Sequence, residues 1–183
     1  MEFKEYALMI RIDRAGGFTL VELLLTLSIA AILLMLAAPS FQALAFNGRR
    51  TALANDLVLA LTYAKSEAVK RGVPVTVCGR ATDTTCADST DWDKGWLVFT
   101  DPGKNGSVDA SDLILQVHPA LPSNTLQATK AKFTFQSTGF IGTGNNDTLR
   151  LCDTRGATKA RGIVLSALGR VKTGPLASGL ACP

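Results

Sequence analysis

Glu22 is the only charge between Phe18 and Ala38, in the run FTLVELLLTLSIAAILLMLAA. A carboxylate inside an apolar span is costly, and its usual warrant is a function or a specific cationic or hydrogen-bonding partner. A plain membrane anchor, with the glutamate snorkelling from one end, is the competing reading. The other residues able to do chemistry are Cys78, Cys86, Cys152 and Cys182, the single histidine His118, and an acidic stretch from Asp101 to Asp112. The cysteines form no C-x-x-C pair and have little histidine beside them, which argues against zinc and for disulfides in an oxidising compartment. Three pairings are open to four cysteines. The expected pairing among them is Cys78–Cys86, closing a loop after the first strand, and Cys152–Cys182, pinning the C-terminal tail.

Catalysis finds no foothold in this set. His118 precedes Pro119 at a predicted strand end with no serine or cysteine nucleophile near it in sequence, and reads as a surface or edge histidine. Asp91 and Asp93 flank Trp92 as ordinary solvated acids. Asp101, Asn105, Gly106 and Asp112 fit part of a calcium-loop template, but Gly103 stands where the second ligand belongs and the last acid is the shorter Asp. A Gly- and Asp-rich hairpin turn explains the same residues without metal. The run Gly142-Thr-Gly144-Asn-Asn146 has no lysine and no following helix, so it is a loop rather than a phosphate cradle. The chain is therefore expected to be no enzyme and to carry no cofactor or metal.

The elements that would position these residues divide the chain in three. As a helix, residues 18–38 span roughly 30 Å, enough to cross a bilayer core, and the run is longer than the apolar part of a secretory signal, about 7–15 residues. Lys4, Arg11 and Arg14 precede it and Arg49 and Arg50 follow, which favours a cytoplasmic N-terminal side and leaves the cysteines outside the cytoplasm. The helix is predicted to continue to Arg71, with Leu53, Leu57, Ala60 or Leu61, Ala64 and Ala68 on one apolar face and Arg49, Arg50, Lys65, Glu67 and Lys70 mostly off it. Gly72 and Pro74 end it. Short strands follow at 73–78, 95–100, 113–117, 132–135, 148–151 and 162–165, with an edge strand at 170–173. A long helix followed only by strands predicts an α+β fold, the helix packed on an antiparallel β-sheet domain.

Charge is also divided. Residues 47–112 carry eight Lys/Arg and nine Asp/Glu, a net −1, whereas residues 113–183 carry eight Lys/Arg against Asp147 and Asp153, a net +6. A basic half on a neutral domain is either a solvated face or the footprint of a polyanion-binding surface.

The segment Gly16-Gly17-Phe18-Thr19-Leu20-Val21-Glu22 resembles the class III leader motif of type IV prepilins and type II secretion pseudopilins. The resemblance implies that prepilin peptidase cuts between Gly17 and Phe18, and that Phe18 becomes the methylated first residue. It also implies that Glu22, then fifth, meets the N-terminal amine of a neighbouring subunit during assembly. Pro39 falls where pilins carry a helix-kinking proline. Three later stretches are similar to the GspH/FimT group: Ala64-Lys-Ser-Glu-Ala-Val-Lys-Arg-Gly72 running into Val75-Thr-Val-Cys78, Lys94-Gly-Trp96-Leu-Val-Phe-Thr-Asp101, and Leu165-Ser-Ala-Leu-Gly169-Arg170-Val171.

On this resemblance residues 1–17 are a leader peptide, 18–46 a transmembrane and assembly helix, and 47–183 a periplasmic pilin-like domain. The expected location is the inner membrane, with a single pass, and then a pilus or pseudopilus. The expected partners are prepilin peptidase, the inner membrane and other minor or major pilins or pseudopilins. The implied function is that of a minor pilin acting in filament initiation at or near the pilus tip. One alternative is a minor pseudopilin of type II secretion. Another is a DNA-binding minor pilin for DNA uptake, because Gly169-Arg170-Val171-Lys172 resembles the G-R-x-R motif of FimT-like pilins, with lysine in the last place. That reading makes Arg170 and Lys172 phosphate contacts, with Lys159 and Arg161 as helpers, and such contacts are sequence-independent and salt-sensitive.

Overall fold

A computed structural model describes residues 17–142 and 144–182, so of the predicted leader only Gly17 lies among the described residues. The chain divides into two units, Met1–Ala43 and Leu44–Pro183, and one helix, α1 (Leu20–Arg71), contributes to both. In the first unit the helix is long and apolar enough to cross a membrane, and none of its most apolar stretch is buried within the protein. Pro39 lies inside the helix, where it supplies no N–H to the carbonyl four residues back and so removes one bond from the helical ladder.

In the second unit the apolar stripe of α1 meets a core built by nine strands. Ala54, Leu57, Ala60, Leu61, Ala64 and Ala68 recur at spacings of three and four and are all buried, as a helix with one face on a sheet requires. The strands are β1 (Val75–Thr82), β2 (Thr85–Cys86), β3 (Trp96–Thr100), β4 (Ile114–Val117), β5 (Asn124–Gln127), β6 (Lys132–Phe135), β7 (Asp147–Asp153), β8 (Arg161–Leu165) and β9 (Val171–Pro175). They form two sheets rather than one: β2-β1-β3-β4, with β6 on the free edge of β1, and β5-β7-β8-β9. Every pairing is antiparallel.

Strand alternation then explains the core. Val75 and Val77 of β1, Trp96 and Val98 of β3, and Phe133 and Phe135 of β6 join Leu149, Leu151, Ile163 and Leu165 of the second sheet and the helix stripe in one cluster. The opposite face of the first sheet would be wet. Instead Cys78, Leu97 and Phe99 are buried there beneath Cys86, Val108 and Ile114, which is why all five residues of β3 are buried.

The structure corrects four local expectations. Two strands, β2 and β5, were not anticipated. The sequence Asn-Thr-Leu-Gln of β5 is polar at three of four positions and has Thr125 as its single β-branched residue, a weak strand signal, yet Asn124 and Leu126 point inward. Glu67 is not off the apolar face: it is 6% exposed, its carboxylate accepting from Arg71 Nε at 2.5 Å with Lys70 Nζ at 3.6 Å. Asp93 is not merely solvated, since its Oδ1 accepts the Leu126 N–H at 2.6 Å and ties β5 to the loop before β3. His118 is no bare surface histidine: its ring stacks on Trp96, centroids 3.7 Å apart and 10° from parallel.

Candidate functional site

The start of α1 is built by its sequence. Thr19 precedes the helix, and its Oγ1 accepts the backbone N–H of Glu22 at 3.2 Å while its carbonyl accepts that of Leu23 at 3.1 Å. Thr19 is thus an N-cap and Glu22 the third helical residue, the T-x-x-E spacing of a capping box. A negative side chain in the first turn also sits at the positive end of the helix dipole. The order therefore gives Glu22 a structural role beside any assembly role, and the signal was present in the spacing Thr19–Glu22. Among the described residues nothing crowds the side of Gly17 where a Cβ would project, and Phe18 is 79% exposed.

Both disulfides follow the favoured pairing. Cys78–Cys86 joins β1 to β2 with Cα atoms 5.7 Å apart, and Cys152–Cys182 ties β7 to the C-terminal tail at 5.9 Å. The Asp101–Asp112 loop is held by its own N–H groups. Buried Asp101 accepts from Thr76 Oγ1 at 2.7 Å and from the backbone of Asn105 and Gly106 at 3.0 and 2.9 Å. Asp109 accepts both the N–H and hydroxyl of Ser111, which lower its pKa, whereas burial raises that of Asp112. Lys132 Nζ closes the loop on the carbonyls of Asn105 and Gly106. These are the bonds of a structured turn.

The four basic residues considered for DNA fall into two groups. Lys172 lies cross-strand from Val164, which is exposed, so it stands on the outer face of the second sheet. Arg170 is exposed in the β8–β9 hairpin, its backbone N–H donating to Ser166 Oγ at 3.2 Å. The glycine before it has a structural reason of its own: φ is +67°, and a Cβ there would meet the Gly139 carbonyl oxygen at 2.3 Å. Arg161 alternates with buried Ile163 and faces the helix instead, donating to Thr51 Oγ1 at 3.0 Å. From Arg161 to Val164, the partner of Lys172, the strand advances about 10 Å. Lys159, in the single 3-10 turn Ala157–Lys159, lines a cavity with Arg161 and Arg50.

Arg50 was expected off the buried face, yet it precedes Leu53 and Ala54 by three and four residues and so belongs to the stripe. Its Nη2 donates to Asn47 Oδ1 at 3.2 Å, and Arg155 Nη1 donates to the same oxygen at 3.0 Å. Arg155 is neutralised by Asp153, which it contacts through Nε at 3.1 and 3.2 Å and Nη2 at 2.6 Å, and its guanidinium lies over the Phe46 ring at 5.1 Å.

Comparison with known proteins follows this geometry. The family described as type II transport protein GspH matches residues 53–169, and the prokaryotic N-terminal methylation motif matches residues 12–38. A search of curated proteins finds no match. Among solved structures, the type IV minor pilin FimU of Pseudomonas aeruginosa is similar in two crystal forms. One has a TM-score of 0.54 at 21% identity, covering 72% of this chain and 96% of FimU; the other has 0.55 at 24%, covering 72% and 91%. At such identities the likeness speaks to the fold, which is that of a minor pilin: one long N-terminal helix and antiparallel sheets. The family match extends from the helix stripe through both sheets to the β8–β9 hairpin, and the chain belongs to the GspH family of pilin-like proteins.

Proposed function

We propose that this protein is a minor pilin of a type IV pilus, a non-enzymatic subunit that acts in filament initiation at or near the tip. Prepilin peptidase removes residues 1–17 and Phe18 is methylated. Residues 18–46 hold the subunit in the inner membrane with residues 47–183 in the periplasm, until the helix enters the filament among other pilins. The observation that carries this reading is the placement of Glu22: one carboxylate in the first turn of α1, the only charge of residues 18–38, shortly after the Gly17–Phe18 bond. Cleavage there creates an amine near the same end of the helix, and a carboxylate in an apolar medium needs such a partner. The test is deletion of the gene, scoring piliation, exoprotein release and transformation together. Loss of pili with secretion intact is expected, and loss of secretion with normal pili would overturn the reading.

The description of the family as type II transport protein favours a second reading, a minor pseudopilin of a secretion system; the same deletion separates the two. DNA capture is a third role, compatible with the first. The net +6 of residues 113–183 supports it, with Arg170 and Lys172 as phosphate contacts on the hairpin and outer sheet face. Contacts of this kind weaken steeply with salt. Absence of salt-dependent binding of duplex DNA would exclude the role, and binding unchanged by R170A together with K172A would exclude these contacts.

A further inference from the structure

Arg50 sits among groups that do not neutralise it. Among the described residues its guanidinium has one hydrogen bond, to Asn47 Oδ1, an uncharged oxygen it shares with another guanidinium. Its Nε and Nη1 are covered by protein and have no hydrogen-bond partner, so neither an acceptor nor bulk water compensates the charge there. Among the described residues Arg50, Lys159 and Arg161 enter no ion pair. Burial, then repulsion from Arg155 and Arg161, lower the Arg50 pKa from its ordinary value, with Asp153 opposing them. All three cations line one open cavity of about 320 Å³ between α1 and the start of β8, together with Thr51 and Thr158. Among the described residues no carboxylate lines it.

We propose that this cavity is a phosphate-binding site formed by Arg50, Lys159 and Arg161, with the Thr51 and Thr158 hydroxyls as additional donors. The residues come from three separate elements, the helix, the 3-10 turn and β8, so the convergence belongs to the fold and not to a local run of charge. A carboxylate would bring one charge to three cations. A phosphate brings up to two charges and several acceptor oxygens, and pairs more strongly with guanidinium and ammonium donors. The size of the cavity admits it readily. The site regroups Lys159 and Arg161 with Arg50 rather than with Arg170 and Lys172, and it stands independently of the role proposed for the chain. The phosphate can come from solution or from a lipid headgroup, which carries the same chemistry.

The test uses the full chain in a neutral detergent, titrated with inorganic phosphate against chloride at equal ionic strength and read by backbone amide NMR. Saturable shifts are expected at residues 50–51 and 157–161. K159Q changes an exposed side chain with no side-chain hydrogen bond among the described residues and should weaken phosphate about tenfold, the equivalent of about 1.4 kcal/mol; R50Q should abolish saturation. In nanodiscs containing phosphatidylglycerol, shifts already present and insensitive to added phosphate would assign the headgroup as the source. Unshifted resonances that still titrate would assign soluble phosphate. Shifts that are equal with chloride, or that persist unchanged in K159Q and R161Q, would overturn the site.

Discussion

Asp153 and Arg155 form the best-built ion pair of the second unit, and its pH dependence can be worked out. The Arg155 hydrogen bonds hold the Asp153 carboxyl below its ordinary pKa of 3.8, against the opposing effect of burial. A carboxyl whose folded-state pKa is depressed contributes stability that is present above the unfolded value and lost as pH falls through the folded one. D153N should therefore melt at lower temperature than wild type at pH 7. The gap should begin to narrow as pH falls below about 4, the unfolded-state value, and close only as pH falls through the depressed folded-state pKa. Thermal melts across that range check it, and a constant gap would contradict the assignment. Gly169 gives a second prediction at this scale. Its φ of +67° and the 2.3 Å approach of the Gly139 oxygen mean that G169A should cost about 1–3 kcal/mol in urea denaturation, whereas R170A, on an exposed side chain, should be near neutral. A glycine there answers a backbone need whether or not the neighbouring arginine binds anything.

The elements were legible to different degrees, for physical reasons. Helix α1 shows its stripe because residues buried on one side repeat every three or four positions; β1, β3 and β8 show theirs through β-branched and aromatic residues, and β7 through the alternating Leu149 and Leu151. Strand β5 escaped because its sequence is polar and its pairing is imposed by β7 and by Asp93. Division into two sheets was equally hidden, since which strand takes the free edge of β1 depends on contacts distant in sequence. Arg50 and Glu67 are charged yet lie in register with the buried stripe, so residue type points away from the face that their spacing gives them. The disulfides were readable because few pairings exist, and the tail crosslink has a measurable consequence. Cys152–Cys182 closes a separation of 30 residues, and its loss in the paired C152A/C182A variant should lower stability by about 3–4 kcal/mol on the loop-entropy account. Arg150, which reaches the Ala181 carbonyl and Gln127, should then lose its contact with the freed tail, visible as a sharp gain in amide exchange after residue 175.

At the scale of the whole molecule, two parts obey different physics. The first stretch of α1 exposes Leu23, Leu24, Leu25, Leu27, Ile32 and Leu33, a surface too apolar for water that needs lipid or other helices around it. Beyond it, a domain with a packed core, two disulfides and a basic C-terminal half is suited to an oxidising aqueous space. Thr19 caps the helix and Glu22 occupies its first turn, so the residue most expressive of assembly in the sequence is also part of the device that starts the helix. The central claim is that this start becomes a free, methylated N-terminus inside a filament. Mass spectrometry of sheared pili tests it most directly. Filaments from wild-type cells should yield a peptide beginning at N-methylated Phe18, and filaments from E22L cells should lack it while membrane levels are maintained. Filaments that contain the protein with residues 1–17 still attached, or that take up E22L as well as wild type, would contradict it.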